Sequence, residues 1–517
     1  MERSRIIRAG VALLLVAGYI GYREYRERQA PEAMPAKATA KAAAAKAAPA
    51  PPLTFGRIAF EPCTLAPQFG PASVAAQCGT LSVPEDPAAP DGRRIDLAIA
   101  WVQADDEGEL ASDPVFMLAG GPGQSARQTY PQVAPAFREV LDHRNVILVD
   151  QRGTGGSNPL HCDFGDEAID ADSAGEMRAL TERCRDTLSK RADLRFYTTT
   201  DAVRDLEAVR EALGVEQVNL VGISYGTRVA QQYAMQHPRR TRSLVLDSVV
   251  PNELILGNDF AANLERALDL QFAQCAKDKA CTSKLGDPRG QLDALMATLR
   301  AAPPLVRYRD AATGESREER LEPEAVAGLM RMYAYMPMAS ALLPLQLHEA
   351  AQGRYDGLMA LTRMLGESIG DQMAMGMQLS VVCSEDAAGF RADPAAEGTL
   401  LGNLFAEMIG AQCAAWPKGA MPEGFHAPLS GDVPVLVLEG EFDPVTPPRY
   451  GEQVVANLPN GRLLVLKGQG HNVIGAGCMP KLFGQFIAST DARALDAKCL
   501  DTLAYVPPFT SFNGWEP

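Results

Sequence analysis

Residues 217–226 read Q-V-N-L-V-G-I-S-Y-G, a buried-strand run that leads straight into Gly222-Ile223-Ser224-Tyr225-Gly226. This stretch constrains the fold most. A serine between two such glycines, after a strand and before a helix, sits on a sharp turn whose strained backbone tolerates no neighbouring side chains, so that its hydroxyl stands clear of a sheet. Residues 227–237 contain neither Gly nor Pro and continue as a helix, stopped by Pro238. A tight turn that merely contained serine would need neither flank. Ser224 is therefore a candidate nucleophile.

The chain on either side repeats the same unit. Ile95, Leu97, Ile99 and Trp101 alternate as a strand does, and residues 114–118 (P-V-F-M-L) and 145–150 (N-V-I-L-V-D) are short apolar runs. Residues 200–213 place Val203, Leu206, Val209 and Leu213 on one helical face, with Asp201 and Asp205 early and Gly214 to end the helix. Residues 243–247 (S-L-V-L-D) give the strand after the nucleophile helix. From residue 58 onward, strands and helices are thus expected to alternate, which implies right-handed crossovers and a parallel sheet. Residues 251–430 break the pattern and read as largely helical, with methionine-rich stretches at 329–338 and 373–377; strands resume at 433–438 and 463–466. The expected fold class is α/β: a mostly parallel central sheet flanked by helices, its core (55–250 and 431–517) interrupted by an inserted helical cap (251–430).

The N-terminus lies outside this design. Arg3, Arg5 and Arg8 precede the apolar run 9–22, as in a secretory signal, and no small-residue cleavage site follows directly. Residues 1–28 therefore read as a signal peptide or an uncleaved anchor, with membrane attachment through 9–22 as the second option. Residues 29–54 are Ala/Lys/Pro-rich and read as a linker that cannot build a core. The ten cysteines fall in sequence-local couples, Cys63/Cys78, Cys162/Cys184, Cys275/Cys281, Cys383/Cys413 and Cys478/Cys499. Up to five disulfides are expected in an oxidising compartment, although spacing does not fix their connectivity and buried free thiols are the alternative. No C-x-x-C couple suggests zinc, and no metal or cofactor is expected. The net charge is -15, and the first 52 residues carry nine basic against four acidic side chains, leaving about -20 on the remainder. Nucleic acid is accordingly excluded as a partner.

Chemistry is sought at the carboxyl ends of the strands. After residue 118 comes Ala119-Gly120-Gly121-Pro122-Gly123-Gln124, a backbone suited to aiming N–H groups at a developing oxyanion; Gly121 and Tyr225 are the candidate donors. After Asp150 comes Gln151-Arg152-Gly153-Thr154-Gly155-Gly156-Ser157, which lacks phosphate-loop spacing and reads as a structural turn with Arg152 salt-bridged inside. Of the six histidines, only His471 follows a C-terminal strand and leaves room for an acid between itself and Ser224. That acid is Asp443, just past the strand at 433–438, with Glu441 as its competitor.

Five segments together carry a resemblance: A-G-G-P-G-Q at 119–124, V-D-Q-R-G-T-G-G-S at 149–157, G-I-S-Y-G at 222–226, G-E-F-D-P-V-T-P at 440–447 and G-Q-G-H at 468–471. From about residue 55 to the C-terminus the chain resembles the prolyl- and tripeptidyl-aminopeptidase branch of the α/β-hydrolase serine peptidases. The resemblance implies an α/β-hydrolase fold, a triad of Ser224, Asp443 and His471, a helical cap, a pairing of Cys383 with Cys413, and an exported exopeptidase acting on peptides with a free N-terminus. The family often has histidine where this chain has Ala119, which weakens a strict prolyl preference. An exopeptidase needs a fixed anion for the substrate's α-ammonium. Glu385 is the candidate and Asp386 the fallback, against the reading of both as a solvated acidic turn. A carboxylesterase with the same triad is the alternative function, and a non-catalytic binding module a weaker one, since all three triad positions are filled.

Overall fold

The computed structural model describes residues 53–67, 72–105, 110–162, 174–310, 313–370 and 373–514. The apolar run 9–22 and the linker up to residue 52 lie outside them. Among the described residues a ten-stranded sheet runs in the order β1-β2-β3-β4-β6-β5-β7-β8-β11-β12. Its strands are β1 (Leu53–Phe55), β2 (Ile58–Leu65), β3 (Val74–Pro84), β4 (Arg94–Val102), β5 (Val115–Leu118), β6 (Val146–Val149), β7 (Val218–Ile223), β8 (Thr241–Asp247), β11 (Val435–Gly440) and β12 (Gly461–Leu466). From β6 through β12 every pairing is parallel. The inner strands β5, β6, β7 and β11 are buried at every position and are apolar apart from Asn219 and Glu439, because helices cover both faces. Period two sorts their side chains into two cores. Val218, Leu220, Val435 and Val437 enter one apolar cluster, and Val221, Ile223, Leu436 and Leu438 the other.

Two expectations are corrected. Strand and helix do not alternate from residue 58: β1 to β4 follow one another and pair antiparallel, and β4 joins the parallel strands antiparallel to β6. Alternation of apolar residues identifies a strand but carries no information about its neighbour's direction, so this antiparallel wing was invisible. The segment between β8 and β11 is not purely helical either. It holds a small hairpin, β9 (Leu305–Arg309) with β10 (Ser316–Arg320), whose largely charged and exposed residues give no apolar signal. Its helices surround an apolar cluster of their own, built on Leu264, Leu268, Leu299, Leu329, Met330 and Leu347.

All ten cysteines are paired as Cys63–Cys78, Cys162–Cys184, Cys275–Cys281, Cys383–Cys413 and Cys478–Cys499. Such a set belongs to an oxidising compartment outside the cytosol. Among the described residues no helix is long and apolar enough to cross a membrane.

The loop after β6 is the structural turn expected of it. Arg152, only 1% exposed, donates two bonds of 2.6 Å to the Asp205 carboxylate and further bonds to the carbonyls of Glu85 and Phe196. The turn is thereby riveted to the helix Thr199–Leu213 and to the end of β3. Removing one member of a buried pair leaves the other charge uncompensated. Asp205→Ala should therefore lower the unfolding free energy by about 3–5 kcal/mol, read as a shift of the urea midpoint.

Candidate active site

Ser224 sits between β7 and the helix Tyr225–Gln236 with φ 55° and ψ -124°, a conformation that a side-chain-bearing residue adopts only under constraint. The constraint is close backbone packing. A Cβ on Gly226 would lie 2.3 Å from the Leu118 carbonyl oxygen, and one on Gly222 would lie 2.5 Å from the Gly226 carbonyl oxygen. Both glycines are required by contact, and together they explain the G-x-S-x-G pattern. The Ser224 N–H donates to the Asp247 carbonyl at 2.9 Å, which ties the turn to the end of β8.

The loop after β5 lies against this turn: a Cβ on Gly120 would stand 3.1 Å from Ser224 Cβ. On its other side the loop meets the inserted segment, where Ala374 N donates to Gly123 O at 3.0 Å and Met373 Cε would come within 3.1 Å of a Cβ on Gly121. Gly121 itself holds φ 110°. Tyr225 begins its helix, so its N–H has no intrahelical partner and lies at the positive end of the helix dipole.

Across the sheet edge, past β8, are Asp443 and His471. His471 Nδ1 donates to Asp443 Oδ2 at 2.7 Å. Asp443, 2% exposed, also accepts from Val445 N and Thr446 N at 2.8 Å each and from Thr446 Oγ1 at 2.9 Å. Burial pushes His471 down, but the charge and hydrogen bond of Asp443 outweigh it, and the pKa stands above the ordinary imidazole value. Glu441, the competitor, is engaged elsewhere: it accepts from Gly468 N at 2.8 Å and from Tyr505 Oη at 3.2 Å. These bonds hold the C-terminal segment, and among the two candidates it is Asp443 whose carboxylate meets the imidazole.

Three residues of the site escaped the sequence reading. Asp247 accepts from Val473 N at 2.9 Å and Ile474 N at 2.9 Å, which fixes the loop that carries His471, and burial raises its pKa to about 6. Glu439, on β11, is fully buried; burial and then the Asp443 charge push its pKa well above the carboxylate range, and it accepts from Val249 N at 3.0 Å. Tyr335, at the end of the helix Pro323–Ala334 in the inserted segment, accepts the His471 N–H on its carbonyl at 2.9 Å and sets its ring edge-on to the imidazole with centroids 5.0 Å apart. Only the carboxylates at strand ends left a trace in the sequence, and nothing marked Tyr335.

The acids at 385 and 386 are enclosed by protein. They are not a solvated turn: Glu385 is 2% and Asp386 0% exposed. Asp386 is committed to Arg228, whose Nη1 donates to both of its oxygens at 3.2 and 3.0 Å, and to Leu256 N. Glu385 accepts from Thr199 N at 2.7 Å and Thr199 Oγ1 at 2.8 Å, and Thr199 Oγ1 in turn meets the Tyr225 hydroxyl at 2.7 Å. Burial foremost, with the Asp386 charge adding and Arg228 opposing, raises the Glu385 pKa to about 8. Each of the four carboxylate oxygens accepts at least one hydrogen bond from the protein, and through these bonds the inserted segment is braced against Thr199 and Arg228.

Comparison with known proteins agrees with this layout. Residues 113–295 match a family model described as the alpha/beta hydrolase fold, and residues 399–499 match one described as TAP-like protein. The first span contains Ser224; the second contains Asp443 and His471. The chain is 28% identical over 470 residues to the serine protease Hip1 of Mycobacterium tuberculosis, covering 82% of this chain and 87% of that protein. It is 29% identical over 254 residues to a tripeptidyl aminopeptidase of Streptomyces lividans (44% of this chain, 46% of the relative). It is 31% identical over 149 residues to a proline iminopeptidase of Neisseria meningitidis (28% and 36%).

Proposed function

We propose, from the premise that the chain belongs to the α/β hydrolases in the branch of the prolyl- and tripeptidyl-aminopeptidases, that it is an exported serine exopeptidase releasing short N-terminal units from peptides. The observation that carries this reading is the 2.7 Å bond from His471 Nδ1 to Asp443 on the same sheet edge as the strained Ser224. With its Nδ1 hydrogen given to Asp443, the imidazole has Nε2 available as base. His471 takes the Ser224 proton as the hydroxyl attacks the scissile carbonyl, then passes it to the departing amine, leaving an acyl-enzyme that water cleaves by the same route. Asp443 holds the tautomer and balances the imidazolium. The negative oxygen of the tetrahedral intermediate is received by the N–H groups of Gly121 and Tyr225, which act without reorganisation because the glycine loop and the helix start are already fixed.

Export is supported by the five disulfides. The peptide substrate and its free N-terminus are supported by what the relatives are named for. Membrane attachment through residues 9–22 remains part of the proposal and is tested by fractionating cells.

Ser224→Ala should abolish turnover by roughly 10⁴-fold or more, judged against other triad removals. Its unfolding midpoint should stay within error of the parent, because little packing rests on the hydroxyl. A folded variant with near-normal rate would end this reading.

The base must be neutral to accept the serine proton, so activity rises as pH climbs through the His471 pKa. Because Asp443 raises that pKa, the acid limb of kcat/KM should have its midpoint above the ordinary value of about 6.5. In Asp443→Asn the residual activity should show this limb moved to lower pH, since burial and the Arg331 charge then act on the imidazole with only Asp247 opposing. An unchanged midpoint would remove Asp443 from the acid position.

Glu385, with a pKa of about 8, carries its proton at neutral pH. A glutamine there keeps an oxygen to accept from Thr199 N and turns its amide toward Thr199 Oγ1, whose hydroxyl can then donate to Tyr225 Oη instead of to position 385. Glu385→Gln should therefore keep kcat/KM at pH 7 within about fivefold of the parent, on free-amine peptides and on a small neutral ester alike, a loss under about 1 kcal/mol. A steep loss confined to free-amine peptides would restore a direct contact with the substrate amine.

A further inference from the structure

The helix Pro323–Ala334 ends one turn after Arg331, and that turn delivers Tyr335 to His471. The Arg331 guanidinium lies 4.6 Å from the ring centroid of Phe260 and 6.0 Å from that of Phe405, the two rings being 4.9 Å apart. Among the described residues no carboxylate lies within ion-pair reach of it, whereas Arg317 and Arg354, the nearest ion-paired arginines along the chain, each hold one. A half-buried cation without an anion loses hydration and gains in exchange only the ring contacts and a hydrogen bond with the Tyr335 hydroxyl. Its charge is also felt at the site, for it counts among the influences that lower the pKa of His471 and of the Tyr335 hydroxyl.

The geometry fits a purpose that packing alone does not supply. Aromatic rings engage a guanidinium by its faces, which leaves its N–H edges for hydrogen bonds; one is turned to the Tyr335 hydroxyl, and the others can form the fork that matches a carboxylate bidentately. Arg331 is on the His471 side of Ser224. His471 delivers its proton to the leaving amine, so the leaving part of a substrate must pass over that side. We infer that Arg331 is a specificity residue that binds a substrate carboxylate on the leaving-group side of the scissile bond. This inference rests on the serine-peptidase reading. It makes short peptides, whose terminal carboxylate lies close to the cleaved bond, better substrates than long or capped ones. An aspartate or glutamate side chain near the cleaved bond offers the same chemistry.

The test uses one acyl part joined to four leaving parts: a short peptide with a free C-terminus, the same peptide as its C-terminal amide, and amidated versions with aspartate or asparagine next to the scissile bond. In the parent enzyme kcat/KM should favour the free carboxylate over its amide by about tenfold or more, the size of a charge-assisted pair. The effect should reside mainly in KM, as for an interaction present in both ground and transition states. A preference for aspartate over asparagine would identify a side chain as the source, and a preference confined to the free terminus would identify the chain end. Arg331→Gln should bring the favoured ratio close to one, and Arg331→Lys should retain part of it. Thermal unfolding of both variants separates lost recognition from lost fold. Equal rates on carboxylate and amide peptides in the parent would overturn the inference and leave the peptidase reading intact, as would an Arg331→Gln loss shared equally by all four peptides. Failure to cleave any of the peptides while a neutral ester is hydrolysed would overturn both.

Discussion

The site depends first on Asp247, which ends β8 and serves both of its neighbours. Its carbonyl takes the Ser224 N–H at 2.9 Å, and its carboxylate takes the N–H groups of Val473 and Ile474 just past His471. One residue therefore holds the nucleophile's backbone with its main chain and the base's loop with its side chain. The cost is a carboxylate enclosed by protein, visible in a pKa raised to about 6 by burial. Three N–H···O contacts to the carboxylate offset part of that cost, since hydrogen bonds to charged groups stabilise more than neutral ones. A second bond beside this tie, from Asn472 N to Ser248 Oγ at 2.8 Å, joins the His471 loop to the end of β8 again.

The inserted segment is attached at chemically chosen points. Met373 and Ala374 close on the glycine loop, Tyr335 on His471, and Asp386 on Arg228 of the nucleophile helix in a pair with both side chains 0% exposed. The disulfide Cys383–Cys413 joins two helices of the insertion within three residues of that pair. On the far side the C-terminal segment crosses back: Tyr505 stacks on Phe442 beside Asp443, donates to Glu441, and has Lys467 4.8 Å from its ring. Cys478–Cys499 anchors the start of that segment. Each functional loop thus touches an element distant in sequence. Such contacts hold a site more firmly than the loops' own backbones can, which is what a pre-organised centre needs.

Much of this was legible in the sequence, and the failures have a common physical origin. Strands buried on both faces, such as β7 and β11, announce themselves as apolar runs, and the order of Ser224, Asp443 and His471 along them follows from where the loops must fall. The glycines of the elbow were legible because backbone contact leaves no choice of residue. What was not legible is whatever depends on a partner far away. Glu385 and Asp386 read as surface charge or as a ligand site, yet they are buried by Thr199 and Arg228, 186 and 158 positions earlier in the chain. Arg152 was recognised as an internal ion pair, but its partner Asp205 was read only as an early helix residue. Tyr335 and Arg331 lay unnoticed in a methionine-rich stretch, because neither helical spacing nor composition says which face of a cap looks down on a base.

The electrostatics of the sheet edge follow from counting donors. Asp443, Asp247 and Glu439 crowd into one region, and like charges so placed disfavour one another's ionised forms. Asp443 collects four donors including the imidazole, Asp247 the N–H groups of two residues together with a long bond of 3.4 Å from the adjacent Ser248 hydroxyl, and Glu439 a single N–H with its second oxygen unpartnered among the described residues. Of the latter two, Asp247 has its pKa raised by burial to about 6, and Glu439, with fewer donors, is pushed further upward. The fold thus concentrates hydrogen-bonding on the carboxylate that faces His471 and starves the one that could compete with it. A buried Glu439 that keeps its proton adds no negative charge beside Asp443, and the imidazole is then balanced chiefly by one anion. Arg331, packed on two phenylalanines, is the nearby cation of the cap, and among the described residues no carboxylate lies within ion-pair reach of it; Asp443 and Asp247 are instead occupied by backbone donors of the site's own loops.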